Sequence, residues 1–224
     1  MRTAIYIDGY NMYYGVLKHS SYKWLDVHSL FSFLVKENDP LAEVVHCGFY
    51  TSLTKARVAT RGEKSVQAQQ VYHRALLSVY TPAVDVICHK HTLVEKPLMR
   101  AEPGQPPDKT KRAWVWQTSE KKTDVAMAMD AYRMAARGGA DQIVIVTNDT
   151  DHEPTLKAIR DDFPRIRRGV ICPRKLDNGR PASDDLRSAS HWMRTHIADP
   201  ELAAHQFPLR VPTRKKPADK PDYW

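Results

Sequence analysis

Residues 143–151 read Ile-Val-Ile-Val-Thr-Asn-Asp-Thr-Asp, an apolar run followed by polar residues that include two aspartates. The first four of these residues form a short apolar run bounded by polar residues, which is typical of a strand buried on both faces of a parallel sheet. Asp149 and Asp151 follow that run directly. Residues 3–8 form a second strand-like run, which ends in Asp8 just before a glycine. Two predicted strands therefore end in carboxylates.

Helical and strand-like segments alternate along the rest of the chain. Apolar spacing predicts further strands over residues 43–50, 84–94 and 168–172, and helices near residues 27–36, 62–79, 123–137, 154–161 and 183–196. This alternation predicts an α/β fold with a central, largely parallel sheet of about five strands and helices on both of its faces.

Two segments stand apart from this pattern. Residues 95–119 are rich in proline, and we expect residues 113–116 to pair back on residues 86–94 as a long hairpin with a mobile tip. Residues 198–224 are basic and rich in proline, and we expect a flexible tail there. The chain is thus predicted to form one domain, residues 1–197, which carries the hairpin-like insertion and is followed by the tail.

Composition indicates a globular protein with an anionic partner. Of the 224 residues 42% are hydrophobic and 27% are charged, which is enough apolar material for a core and excludes global disorder. The net charge of +8 is concentrated in residues 95–122 and 207–224. Local excess charge favours nucleic acid as a partner, with an anionic membrane second, although such runs are also often simply solvated.

The insertion offers a specific candidate for contact with nucleic acid. It places Lys109, Lys111 and Arg112 beside Trp114 and Trp116. Cations and indole rings together suit a surface that stacks bases and follows a phosphate backbone. The alternative is a hairpin whose two indoles share one face, at a period of two, and pack on the domain.

Several classes of protein are disfavoured. The three cysteines are far apart and show no CxxC spacing, so neither a disulfide framework nor a zinc site is indicated, and a reducing compartment fits. No run approaches the roughly 18 apolar residues of a membrane span. We therefore expect a cytoplasmic protein without membrane association.

The aspartates at the strand ends indicate a metal site. Carboxyl ends of parallel strands lie at one edge of a sheet, so Asp8, Asp149 and Asp151 are expected to meet there, with Asp124 from the start of the helix near residues 123–137. Clustered carboxylates repel one another unless a cation neutralises them, and Mg²⁺ or Mn²⁺ suits oxygen ligands. Such a cation supports hydrolysis of a phosphodiester bond. Any one of these aspartates alone would more simply be a turn former or a helix cap.

Three ordered blocks of sequence resemble a known family. Residues 6–11 (Tyr-Ile-Asp-Gly-Tyr-Asn), 120–130 (Glu-Lys-Lys-Thr-Asp-Val-Ala-Met-Ala-Met-Asp) and 146–154 (Val-Thr-Asn-Asp-Thr-Asp-His-Glu-Pro) resemble the signature blocks of NYN domains. These are PIN-like nucleases, and the match is closest to the LabA-like branch. The resemblance spans about residues 1–175. It implies a three-layer α/β/α sandwich, a Mg²⁺ or Mn²⁺ site and cleavage of RNA.

The resemblance also implies roles for individual residues. Asp8, Asp124 and Asp149 match the principal acids of the metal site, and Asp151 would complete the acidic set directly or through water. Asn11 matches an asparagine that orients the first aspartate or a substrate phosphate. The catalytic set implied by the resemblance is thus four acids and one amide.

Some positions depart from the pattern of the relatives. Thr147 replaces a serine and keeps its hydroxyl, and Asn148 replaces a glycine but tolerates a left-handed turn. His152 replaces a phenylalanine, so it is either an extra acid, base or phosphate contact or, by preference, a packing residue. Lys122 stands where relatives often have glycine. With Lys121 it lies beside the acids, where ammonium groups could contact a phosphate or relieve carboxylate repulsion.

The hypotheses for function follow in order. The first is a metal-dependent ribonuclease acting on single-stranded RNA, and a homo-oligomer is compatible with the sequence. The second is an RNA-binding or regulatory module with little turnover. The third and weakest is a hydroxylase of pyridine-type molecules, a name that some chains of this type carry. The sequence has neither a GxGxxG dinucleotide loop nor an iron-ligand motif to support that third hypothesis.

Overall fold

The computed structural model of the chain describes residues 1–176, 181–214 and 216–224. The strands are β1 Arg2–Asp8, β2 Glu43–Leu53, β3 Val84–Met99, β4 Arg112–Glu120, β5 Gln142–Val146, β6 Arg167–Ile171, β7 Trp192–Arg194, β8 Arg210–Val211 and β9 Ala218–Asp219. The α-helices are α1 Gly9–Met12, α2 Val27–Asn38, α3 Glu63–Tyr80, α4 Thr123–Ala136, α5 Glu153–Asp162, α6 Asp184–Ala189 and α7 Asp199–Ala204. Helix α1 continues into a π-helix at Tyr13–Leu17, and short 3₁₀-helices lie at Ala56–Val58 and Thr150–His152. No helix in the described ranges combines the length and apolar character needed to cross a membrane.

Seven strands form one sheet in the order β4-β3-β2-β1-β5-β6-β7. All neighbours are parallel except the antiparallel pair β3 and β4. From β1 the chain first adds β2 and β3 on one side, and it later adds β5, β6 and β7 on the other. The strand order therefore reverses between β1 and β5, which is where open α/β sheets bind ligands.

Two hydrophobic cores lie on opposite faces of the sheet. Alternation along β1 sends Ile5 and Ile7 to the core under α2 and α3. It sends Ala4 and Tyr6 to the core under α4, α5 and α6. Every residue of β5 is buried, as expected for a central strand covered on both faces. The predicted α/β fold with a largely parallel sheet is confirmed.

The sheet has seven strands where the sequence predicts about five. One additional strand is β7, which lies where we predicted a helix over residues 183–196; helix α6 ends at Ala189 instead. Trp192 packs directly over Gly169 of β6, and its indole Nε1 donates to Gln142 Oε1 at 3.0 Å. Pairing of β7 with the edge of β6 outweighs the local helical pattern.

The other additional strand is β4, the second arm of the insertion. It pairs with β3 in antiparallel register from His91 opposite Glu120 to Met99 opposite Arg112. The predicted hairpin is therefore confirmed, but its predicted pairing is wrong, because residues 113–116 lie opposite residues 95–98 rather than 86–94. At about 3.3 Å per residue the paired arms extend on the order of 25 Å.

The prediction of a flexible tail over residues 198–224 is wrong for the described residues. The segment contains α7 and the β8–β9 hairpin, and Phe207 and Val211 are buried in the core under α2 and α3. Trp224 packs against the buried Trp24, whose indole Nε1 donates to the carbonyl of Pro208 at 2.8 Å. These long-range contacts outweigh the high content of proline and lysine, which alone favours disorder.

Candidate metal centre

Asp8 lies at the carboxyl end of β1, beside the point where the strand order reverses. Its side chain is only 6% exposed. Oδ1 accepts from the backbone N–H of Asn11 at 2.9 Å, and Oδ2 accepts from the Asn11 side-chain amide at 2.5 Å. The hydroxyl of Thr147 also donates to Oδ2, at 3.2 Å. Asp8 thus caps α1 and is at the same time held in one orientation by three donors.

Thr147 and Asn11 connect the ends of β1 and β5. The buried Thr147 hydroxyl, which donates to Asp8, also accepts from the backbone N–H of Asp149 at 3.0 Å. The side-chain oxygen of Asn11 accepts from the backbone N–H of Asn148 at 3.2 Å. The hydroxyl at position 147 therefore links the Asp8 carboxylate to the backbone N–H of Asp149, and a serine hydroxyl could make the same two hydrogen bonds.

Asn148 does not adopt the left-handed conformation that we expected it to tolerate. Its side-chain amide instead donates to the carbonyl of Pro173 at 3.0 Å. Pro173 also lies against Gly15 of the π-helix, where an added Cβ would come within 1.7 Å of the same carbonyl oxygen. The loop after β6 is thereby tied to the loop after β5 through one asparagine.

Asp124 and His152 complete a compact cluster with Asp8. Each of the three residues has a potential ligand atom, and these atoms all lie within 4.8 Å of one another. Asp124 comes from the first turn of α4, and His152 ends the 3₁₀-helix that follows β5. Asp124 is exposed, whereas Asp8 and His152 are buried. The cluster thus joins three segments that are distant in the chain.

The electrostatics of this cluster favour a cation. Partial burial and then the negative charge of Asp8 raise the pKa of Asp124 above that of an ordinary aspartate. Asp149 and Asp151 add smaller contributions in the same direction, while His152 opposes them. A divalent cation between the carboxylates would remove this repulsion, so the donor set fits a metal ion.

Asp149 and Asp151 lie at the rim of this cluster. Asp149 is half-buried and caps the 3₁₀-helix, because its Oδ1 accepts from the backbone N–H of Asp151 at 3.0 Å. Asp151 is exposed. Both charges act on Asp124, but neither residue belongs to the group whose ligand atoms lie within 4.8 Å of one another. Their predicted role as metal ligands stays a prediction.

Lys121 and Lys122 are exposed and immediately precede α4. Lys122 has φ +77°, and in the described ranges it is the only residue other than glycine with positive φ. Its Cβ is crowded in this left-handed conformation, which explains why glycine suits the position. The backbone conformation that favours glycine therefore occurs at position 122 and not at position 148.

We expect the substitution Lys122→Gly to stabilise the protein. Relief of the left-handed strain should raise the free energy of unfolding by about 0.5 to 1 kcal/mol. Urea denaturation followed by circular dichroism measures this change. Lys121→Gly is the matched control. It also removes one lysine charge, from the adjacent position, but Lys121 does not have a positive φ that glycine would relieve. Equal effects of the two substitutions would contradict the explanation.

The cationic residues of the insertion lie far from the cluster. Lys109, Lys111 and Arg112 are at the tip of the β3–β4 hairpin, whereas the opposite end of β4 leads into α4. Lys111 is also paired with Glu102 at 2.7 Å. Their predicted role in nucleic-acid binding stays a prediction, but the fold does not bring them to the acidic cluster.

The two tryptophans of the insertion do not pack into the domain. Trp114 is 70% exposed and Trp116 is 49% exposed, although the guanidinium of Arg57 lies over the Trp116 ring at 4.2 Å. The alternative interpretation, that both indoles pack on the domain, does not fit Trp114. The hairpin therefore presents an aromatic and basic surface at some distance from the acidic cluster.

An open cavity of about 430 Å³ lies beside the cluster. Asn11 and Asn148 line it on the side of the acidic residues, and Tyr10, Tyr14 and Arg174 contribute rings and a cation. Tyr10 and Tyr14 stack with ring centroids 5.9 Å apart. Neither Tyr14 nor Arg174 is predicted from the sequence to belong to the site. The spacing of four residues between two tyrosines, just after the first aspartate, is the signal that could have found the aromatic pair.

The comparison with family models matches residues 2–167 to the NYN domain. The chain belongs to the NYN domain family. Its Asp8, Asp124 and Asp149 lie within the matched region, as do Asn11, Thr147 and His152. The narrower prediction of the LabA-like branch stays a prediction.

Two known proteins are similar to this chain. The chain is 38% identical to the 6-hydroxy-3-succinoylpyridine 3-monooxygenase HspA of Pseudomonas putida, and the alignment covers all of this chain and 75% of HspA. A crystal structure of a Vibrio parahaemolyticus protein of unknown function is similar at a TM-score of 0.50 and 15% identity, covering 88% of this chain and 93% of the other. The second likeness concerns the fold alone.

Proposed function

We propose that this NYN domain protein is a metal-dependent ribonuclease that hydrolyses phosphodiester bonds in single-stranded RNA. The observation that carries the proposal is the cluster of Asp8, Asp124 and His152 at the point where the strand order reverses. The NYN family is typically nucleolytic, and the acidic donor set suits a divalent cation. We propose Mg²⁺ or Mn²⁺ as the first candidates, because both bind carboxylates and can bridge to phosphate.

A bound divalent cation would activate water and stabilise negative charge on the phosphoryl oxygens. Asp8 and Asp124 would hold it, with Asp149 and Asp151 adding negative charge or ligands at the rim. Asn11 and Thr147 would fix the orientation of the Asp8 carboxylate through the hydrogen bonds described above. These residues pre-organise the site, so little rearrangement is needed when substrate binds.

Other residues near the cluster are suited to hold RNA. Lys121 and Lys122 are next to Asp124 and exposed, so their ammonium groups can contact a phosphate. Tyr14 is 60% exposed at the rim of the cavity, where its ring can stack on an unpaired base. Single-stranded RNA is favoured because stacking of this kind needs a base that is free of its partner strand.

The experiment is cleavage of end-labelled single-stranded RNA in Mn²⁺, Mg²⁺ or EDTA. We expect products with a divalent cation, none in EDTA, and none from the double variant Asp8→Asn/Asp149→Asn. If RNA is retained in a gel shift but is not cut in any metal, the proposal is wrong and the alternative of an RNA-binding module holds. Retention that stays constant as salt rises would contradict electrostatic binding.

A second candidate function is oxygenation of a pyridine-type ring. It is favoured by the likeness to HspA over the whole chain and by the cavity of about 430 Å³ beside the cluster, which is large enough for a molecule with one ring. Oxygen uptake in the presence of 6-hydroxy-3-succinoylpyridine and a two-electron reductant tests it, because monooxygenation consumes two external electrons. Uptake that depends on the pyridine compound, together with intact RNA in the cleavage assay, would replace the nuclease proposal.

A further inference from the structure

His152 is a buried histidine whose ring has no visible partner. The residue is 1% exposed. Neither Nδ1 nor Nε2 has a hydrogen-bond partner among the described residues. Burial of a polar group without a partner is costly, so native proteins almost always satisfy such a group. We therefore expect at least one ring nitrogen of His152 to bind a group that is not part of the described chain.

The direction of the ring indicates what that partner is. A nitrogen of His152 lies within 4.8 Å of carboxylate oxygens of both Asp8 and Asp124. Ligand atoms that share a metal ion, at bonds of about 2.1 Å, lie roughly 3 to 4 Å apart. The spacing of the three donors is therefore close to that of a common coordination sphere.

A packing role explains the same observations less well. A phenylalanine would fill similar volume without burying two polar nitrogens, so packing alone gives no reason for an imidazole here. An imidazole at the edge of a carboxylate cluster adds one donor of a different chemical type. That donor is nitrogen, which Mg²⁺ rarely uses and later transition metals prefer.

We propose that His152 is a ligand of the metal ion at this site, and that the resulting set of one nitrogen and two carboxylates selects transition-metal ions over Mg²⁺. The inference rests on the metal site in the proposed function, and it names one further ligand of that site. The expected order of affinity is Co²⁺ above Mn²⁺ above Mg²⁺, following the general order for nitrogen-containing sites. A site of four carboxylates alone would show a much smaller preference.

The test is calorimetric titration of the full chain with Co²⁺ and with Mg²⁺. We compare wild type with His152→Phe, the side chain that we expect to restore simple packing. Loss of a direct nitrogen ligand should weaken Co²⁺ binding about 100-fold or more. Binding of Mg²⁺ should change by less than about threefold, because oxygen donors dominate its coordination.

The matched control is His73→Phe. His73 lies on α3 in a different part of the domain and also has a buried ring nitrogen without a partner among the described residues. We expect this variant to bind both ions like wild type. Thermal melting in EDTA shows whether each variant is folded before the titration is interpreted.

A measurement on the unmodified protein keeps the proposal testable if His152→Phe does not fold. Pulsed electron paramagnetic resonance of wild type loaded with Mn²⁺ detects ¹⁴N coupling when an imidazole is bound directly. Presence of the coupling supports the proposal, and its absence overturns it. Unchanged Co²⁺ affinity in folded His152→Phe overturns it as well.

The outcomes for His152 and for the proposed function are distinguishable. If Asp8→Asn abolishes binding of both ions while His152→Phe changes neither, the metal site stands and only the role of His152 is wrong. If wild type binds neither ion, the metal site itself is wrong, and the nuclease proposal is contradicted with it.

Discussion

The substitution Asp124→Asn is expected to stabilise the metal-free protein and to abolish the proposed metal-dependent cleavage of RNA. Partial burial and the charges of neighbouring aspartates raise the pKa of Asp124 in the folded state. A raised pKa means that folding favours the protonated carboxyl, so stability from this group is present at low pH and is lost as the pH rises through the folded pKa. Asparagine carries no charge and avoids this loss at neutral pH.

The same substitution removes a carboxylate of the candidate metal centre. We expect the cleavage rate in Mn²⁺ to fall about 100-fold or more, because stabilisation of transition-state charge is lost. Melting temperatures in EDTA at neutral pH and at a pH below the ordinary aspartate range measure the first effect. The gain in stability should be present at neutral pH and should disappear at the lower pH.

Asp185→Asn is the control for this experiment. Asp185 is an exposed acid in the first turn of α6, as Asp124 is in the first turn of α4, but it does not belong to the acidic cluster. Its substitution should leave cleavage unchanged and should not raise the melting temperature. Retained cleavage in Asp124→Asn, or lower stability in EDTA at neutral pH, would contradict this account of the cluster.

The substitution Gly15→Ala is expected to destabilise the fold strongly. The added Cβ would lie 1.7 Å from the carbonyl oxygen and 2.9 Å from the carbonyl carbon of Pro173. Both are backbone atoms, so the π-helix and the loop after β6 must separate. Overpacking of this kind costs about 3 kcal/mol. Urea denaturation should show this loss in the free energy of unfolding.

The substitution Gly15→Ala should also disturb the geometry of the candidate metal centre. Pro173 accepts a hydrogen bond from the Asn148 amide, and the Asn148 N–H in turn donates to Asn11 beside Asp8. We therefore expect weaker binding of Mn²⁺ in addition to the loss of stability. Gly139→Ala is the control, because its Cβ would meet chiefly the flexible end of the Met134 side chain, at 2.4 Å. Equal losses in the two variants would show that close backbone contact is not the cause.

The parallel sheet and the position of its acids could be predicted from local patterns. The apolar run at residues 143–146 is a fully buried central strand, and β1 ends in Asp8 as expected. These two strands are neighbours at the point where the strand order reverses. In a parallel sheet the carboxyl ends of the strands lie at one edge, so the acids that follow them lie there too. The order of strands and helices along the chain is therefore enough to predict that these acids lie close together.

The environment of His152 could not be predicted in the same way. Its burial and its closeness to Asp124 depend on how α4 packs beside the loop after β5, which no local pattern specifies. The resemblance to the NYN pattern, which implies an aromatic residue at this position, predicts a packing role instead. Only the three-dimensional structure shows that a ring nitrogen of His152 lies near the carboxylates of Asp8 and Asp124.

The C-terminal segment shows a second limit of local patterns. Its composition favours disorder, yet Trp224 packs on Trp24, and Phe207 joins the same aromatic group. These partners are separated by most of the chain. Burial of large aromatic rings contributes enough free energy to order a segment that is rich in proline and lysine.

The most direct test of the metal centre is a crystal structure of the protein with Mn²⁺, measured for anomalous scattering. We expect an anomalous peak about 2 Å from the carboxylate oxygens of Asp8 and Asp124. The peak should be absent from crystals of Asp8→Asn grown in the same Mn²⁺ concentration. A map from the wild-type protein with no peak at these two residues, or with peaks only elsewhere, would contradict the central claim that this cluster binds a divalent cation.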